Sequence, residues 1–258
     1  MGRNPVCYNY RATLISDRSC LKPVDTLRFA NWLHNGQPGL VTPVPQDLNS
    51  TEDGSYYLNG AMSYSDLIAV TRKANATWVI PTEDEWYKAA YYDPSKPAGA
   101  GYWDYPTKSN TTPINTLLDP DPGNHANFYD SYQTGNGTYT IGSPYFRTAV
   151  GAFTNSGSPY GTFDQGGNIY EWTEANVFGA RGLRGGSYYR TSNGLHAYYR
   201  YYYGPTFETC EFGFRVASVP EPGSRAMLAA VAVMALLYWW RRHAGSAGVP
   251  PAKKLCQD

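Results

Sequence analysis

A loop-rich α+β or β-rich fold, rather than a helical bundle, is what this 258-residue sequence predicts, and two observations carry that expectation. Aromatic residues make up 16%, including 24 tyrosines, which is the composition of an ordered protein. Glycine and proline number 26 and 19, so turns and irregular backbone must take a large share of the chain. A chain of this length supports one large domain or two small ones.

The elements follow in order. "DTLRFANWLHNG", residues 25–36, reads as a helix. Asp25 is a good N-cap and Gly36 a good residue just past the end, while Leu27, Ala30 and Leu33, with Phe29 and Trp32, supply an apolar face. Residues 40–59 are rich in turn formers and read as an exposed loop leading into a short strand. Trp78, Val79 and Ile80 read as a strand that Pro81 ends. Thr82 and Glu85 then have the spacing of a capping box, opening a helix that Asp93 and Pro94 close. Residues 95–151 show little periodicity, and so long an irregular stretch argues for a fold with little regular structure. Beyond it, alternation in residues 181–189 and 213–217 predicts neighbouring antiparallel strands of one sheet.

Lysine and arginine balance aspartate and glutamate at 21 each, so the chain lacks the basic excess that nucleic acid binding requires. The four cysteines, Cys7, Cys20, Cys210 and Cys256, fit neither a zinc knuckle nor a redox pair; a Cys7–Cys20 bridge and two free thiols are both open. His34, His125, His196 and His243 show no metal-ligand spacing.

The C-terminal stretch carries "VPEP", an unbroken apolar run from Ala226 to Trp240, and then Arg241 and Arg242. As a helix the run rises roughly 22 Å, short of a hydrocarbon core of about 30 Å. A buried core helix is one reading. The basic cluster and the interfacial Tyr238 and Trp239 favour a membrane segment with the arginines inside. In order, these three features resemble the PEP-CTERM sorting signal, which implies export, a membrane association through residues 226–240 and an exosortase-type partner. The family signal ends soon after the arginines, whereas here fifteen residues follow His243. The first twenty residues have no apolar run of the kind a secretory signal needs, so an N-terminal truncation is expected.

Four motifs share an order with one family. "RFANWLHNG", "IPTEDEWYKAA", "GGNIYEWT" and "RGGSY" followed by "GFRVA" resemble the sulfatase-modifying-factor, or formylglycine-generating-enzyme, family over roughly residues 23–218. The resemblance implies an α+β fold related to C-type lectins, loop-rich, with residues 1–218 as the domain, 219–243 as the sorting segment and 244–258 as a tail. It also implies a groove holding Ser187, Tyr170 and Arg190. The family's oxidases bind copper through a thiol pair three and eight residues after the serine of "GGS". Those positions are Arg190 and Leu195, neither of which is a thiolate. Copper is therefore not expected, and no catalytic residue is assigned.

A calcium ion is also implied, with side-chain oxygens from Asp164 and Glu171 and carbonyls from Gly167 and Ile169. The other reading of the same residues is that Asp164 caps a turn and Glu171 pairs with an arginine such as Arg184. Asn127 and Phe128 match half of the family's second calcium site, but the aspartate expected near Gly142 is missing. The expected function is an exported, envelope-anchored module, non-catalytic, with a carbohydrate or protein ligand; the alternative is a formylglycine-generating-type oxidase acting on protein cysteine.

Overall fold

A computed structural model describes residues 20–131 and 135–219. Cys7, Cys256 and the apolar run at 226–240 lie outside the described residues.

Helix α1 spans Pro23–His34 and begins two residues before the expected start. Pro23 can open a helix because it has no amide hydrogen to leave unpaired. Asp25 therefore sits in the first turn, where its carboxylate accepts from the Lys22 amide at 3.1 Å. At the other end Gly36 adopts φ +76°, the left-handed conformation that ends helices. Val24, Leu27 and Ala30 are buried from α1, with Phe29 and Leu33 packed against the same core.

Helix α2, Tyr64–Ala69, had no clear signal in the sequence. Arg181 holds its C-terminal end, donating to the carbonyls of Leu67 and Val70 at 2.7 Å each. Strand β1, Trp78–Val79, leads into helix α3, Glu83–Tyr91. The capping box forms as expected: Glu85 N donates to Thr82 Oγ1 at 3.2 Å, and Thr82 N to Glu85 Oε2 at 2.9 Å. Two short strands, β2 (Tyr92–Asp93) and β3 (Gly101–Tyr102), pair next.

From residue 103 to 169 the described backbone has isolated bridges but neither helix nor strand ladder. Side chains take the place of ladders there. Asn115 donates to the carbonyls of Phe128 and Thr138, and Asp130 accepts from the amides of Gly135 and Gly137.

The main sheet follows. Strands β4 (Tyr170–Val177) and β5 (Ala180–Arg184) form a hairpin whose two-residue turn, Phe178-Gly179, has positive φ at both positions. Strand β6, Tyr201–Tyr203, lies outside β5; β7, Phe212–Gly213, lies parallel to β4 on the opposite edge. Strand β8, Ala217–Ser218, pairs instead with β1. The expected antiparallel pairing of residues 184–188 with 213–217 is thus corrected in three respects. β4 intervenes, the β7 pairing is parallel, and residues 213–217 are divided between two sheets. The cause at the first segment is local: Gly185 and Gly186 have φ +92° and +74°, which no strand can continue through.

A disulfide joins Cys20 to Cys210 across a separation of 190 residues, tying the start of the described chain to the segment before β7. It takes Cys20 out of the possible Cys7 bridge. The cross-link fits an extracytoplasmic protein, because cytosolic thiols are kept reduced. No helix among the described residues is long and apolar enough to cross a membrane.

Candidate functional site

The two glycines after β5 turn the chain under the irregular segment, and both are needed there. A Cβ on Gly185 would lie 2.7 Å from the Gln165 carbonyl oxygen, and one on Gly186 would lie 2.9 Å from the Gly194 carbonyl carbon. This turn delivers Ser187, fully buried, to Glu211, whose Oε2 accepts from Ser187 Oγ at 2.8 Å. Glu211 also accepts, through its backbone carbonyl, from the Tyr170 amide at 2.8 Å. Tyr170 opens β4 and stacks on Tyr201 of β6, with ring centroids 5.3 Å apart. Burial pushes the Tyr170 phenol well above its ordinary range, so it stays neutral at any physiological pH.

Arg190 completes this group. Its Cζ lies 5.5 Å from the Tyr201 centroid and 5.9 Å from that of Tyr170. Its Nε is 3.9 Å from Glu211 Oε2, an ion pair too long for a hydrogen bond. Ser187, Tyr170 and Arg190 are therefore brought together, and Glu211 joins them. Nothing in the sequence marked Glu211, since it precedes β7 and belongs to none of the four motifs.

An aromatic wall flanks these residues. Tyr139 meets Tyr129, Phe146 and Tyr189 at centroid distances of 5.0, 4.9 and 6.1 Å, and Phe146 stacks on Tyr188 at 5.7 Å. Burial first, and the Glu211 charge next, raise the Tyr188 phenol; burial, Tyr189, Tyr129 and Glu211 raise that of Tyr139. The Tyr129 amide donates to the Arg190 carbonyl at 2.9 Å, which sets the aromatic wall beside the floor. Tyr139 and Phe146 come from the aperiodic segment, which is why periodicity did not find them.

The two positions that the resemblance gives to a thiol pair, Arg190 and Leu195, hold no sulfur. Arg190 presents a guanidinium, and Leu195 is a core residue, fully buried against Tyr105, Ala126 and Phe128. The two described cysteines are joined to each other. These residues do not fit a copper(I) ion, which selects soft sulfur donors.

The calcium positions were tested in the same way. Glu171 is buried, and both its oxygens accept from Arg215, with Nη2 to Oε1 at 2.5 Å; Oε2 also accepts from Trp86 Nε1 at 2.6 Å. Arg184, the partner offered by the sequence, pairs with Glu83 at 2.5 Å instead. Asp164 Oδ2 accepts from the Gly151 amide at 2.6 Å, and the Gly167 carbonyl accepts from the Ile169 amide at 2.9 Å. Burial raises the Asp164 carboxyl; the Gly151 amide and Arg215 oppose that, and Glu171 adds to it. As arranged, these residues do not fit a calcium ion, because a guanidinium already neutralises Glu171. At the second position the Phe128 carbonyl accepts from Asn115 Nδ2, while Asn127 Oδ1 is buried without a partner. Among the described residues no three His, Cys, Asp or Glu side chains converge as a metal site.

A family model described as "Sulfatase-modifying factor enzyme 1-like domain" matches residues 23–219. A search of curated proteins found no match. Among solved structures, Treponema denticola variable protein 1 is similar at 20% identity and TM-score 0.49, over 85% of this chain and 79% of that one. CarF is similar at 18% and 0.47, over 78% and 67%. PvdO from Pseudomonas aeruginosa is similar at 15% and 0.46, over 84% and 70%.

Proposed function

Since the chain belongs to the sulfatase-modifying factor enzyme 1-like domain family, we propose that it is a non-catalytic member, a binding module that uses the family's groove without the family's redox chemistry. The observation that carries this reading is the pair Arg190 and Leu195 at the positions where a thiol pair would hold copper. An arginine adds positive charge where a cation would sit, and a buried leucine offers no lone pair. What remains is a groove with a tyrosine-rich wall, one carboxylate and one accessible guanidinium, which suits recognition of a carbohydrate or peptide. Titrating the purified protein with copper(I) against a chromogenic chelator tests this. The expected result is no competition for the metal; stoichiometric binding lost on substituting a groove residue would restore the oxidase reading.

The place of work we infer is outside the cytoplasm, at the cell envelope. The Cys20–Cys210 bridge supports the first part of that reading. The second part rests on sequence alone: "VPEP", the apolar run 226–240 and the following arginines make an exosortase-type sorting partner and a membrane association the natural proposal. With residues 220–258 present the protein should fractionate with membranes, and a chain ending at Val219 should not. Equal solubility of the two would remove the anchor.

A further inference from the structure

Resting on the reading of the groove as a binding site, we propose that its ligand is an acidic sugar, with the carboxylate taken by Arg190 and the ring faces taken by the tyrosine wall. Eight arginines lie among the described residues. Arg28, Arg72, Arg184, Arg200 and Arg215 donate to carboxylates, and Arg181 donates to backbone carbonyls. Arg190 and Arg147 differ from these six. Arg190 Nε is buried without a hydrogen-bond partner, and its side chain is 41% exposed. Arg147 also makes no side-chain hydrogen bond among the described residues, and its charge acts on Tyr188 in the wall. Contacts place Arg190 on the groove floor, where it is ion-paired with Glu211 but makes no side-chain hydrogen bond among the described residues.

A guanidinium presents five donors in a planar fork that matches a carboxylate. Evolution of a folded chain leaves such donors unpaired at few places, since pairing them within the protein is normally favourable. The opposing charge in the groove is Glu211. It is held by Ser187 and lies 3.9 Å from Arg190 Nε without a hydrogen bond, so the donors of the guanidinium fork stay open to a ligand. Those open donors select a carboxylate.

The wall selects the rest of the ligand. Tyr189 is exposed, with Tyr139, Tyr188 and Phe146 half-buried around it, so its ring can take the C–H face of a pyranose and the tyrosine hydroxyls can serve sugar hydroxyls. An extended peptide would instead seek a sheet edge to pair with, and the edges here, β6 and β7, are three and two residues long.

Full-length protein would be titrated calorimetrically with oligosaccharides carrying galacturonate, glucuronate or sialic acid, and with their neutral methyl esters. The expected outcome is binding of at least one acid form, weakened by added salt, with the matching ester about tenfold weaker or worse. Arg190→Ala should remove the preference for the acid and Arg190→Lys should keep part of it; Tyr189→Ala should weaken both forms alike. Unchanged circular dichroism would show that each variant is folded. Equal affinity for acid and ester, or binding of an acidic peptide but of none of the sugars, overturns the acidic-sugar assignment and leaves the binding module standing. No binding of any acid form also overturns it. Oxidation of a cysteine peptide by the protein would overturn the module itself, independently of every sugar result.

Discussion

Two carboxylates, the buried Asp121 and the half-buried Asp164, should respond to pH in opposite directions. Burial alone would raise the Asp121 carboxyl, but the amides of Gly123 and Asn155 and the Ser156 hydroxyl outweigh it and hold the group below its ordinary value of 3.8. A depressed native value means the unfolded chain binds the proton more tightly. The stabilisation is then complete above the unfolded pKa and is lost as pH falls through the folded one. Asp121→Asn should destabilise by about 2 kcal/mol at pH 7, with the deficit shrinking in acid. Asp164 has its carboxyl raised, chiefly by burial. Its native state binds the proton more tightly, so its contribution falls as pH rises from 3.8 through the folded value. Asp164→Asn should therefore raise the melting temperature at pH 7, and the gain should fade towards pH 4. Melting curves of both variants across that range check the signs. A chelator should leave the parent unchanged; a chelator-induced drop that Asp164→Asn abolishes would put calcium back at this position. At this scale Ser187 and Tyr170 were named from the motifs that hold them, and Arg190 from its spacing after Ser187. It could not rank Arg184 against Arg215 as the partner of Glu171. That choice depends on where α3 brings Glu83, which is a tertiary fact.

Among the elements, helices with explicit boundary chemistry were legible and sheet neighbours were not. The Thr82–Glu85 box fixed the start of α3 because both of its hydrogen bonds are local. The start of α1 was misplaced because Asp25 is as good a first-turn acceptor as an N-cap, and Pro23 decided between them. Strand pairing is set by the path of the intervening chain, so no alternation in 213–217 could announce that β7 lies parallel to β4. The disulfide illustrates the same limit, since the partners are 190 residues apart. A loop of that length makes the cross-link costly to lose. In the chain-entropy model, replacing Cys20 and Cys210 by serine should destabilise the domain by about 5 kcal/mol. Urea unfolding of the double variant against the oxidised parent measures it; a difference under about 1 kcal/mol would mean the bridge closes no loop that is open in the unfolded chain. Because Glu211 follows Cys210 directly, the same variant should also loosen the Ser187–Glu211 hydrogen bond on the groove floor.

At the scale of the whole domain, residues 23–219 have the family's fold, and Arg190 and Leu195 lie within it. The fold was legible because composition, the aperiodic middle and the four ordered motifs agreed, each of them a property of the chain alone. The wall of the groove was hidden because Tyr129, Tyr139 and Phe146 lie in the irregular segment and meet Tyr188 and Tyr189 only after folding. The reading proposed above is that the domain does not oxidise cysteine, since a guanidinium and a core leucine stand at the two positions that the resemblance gives to a thiol pair. The most direct measurement is mass spectrometry of a cysteine-containing peptide incubated with the full-length protein, copper, a thiol reductant and oxygen. The expected result is an unchanged peptide mass, identical to the incubation without protein. A product with the mass of the formylglycine aldehyde, formed only when the protein is present, would contradict the claim and make the groove an active site.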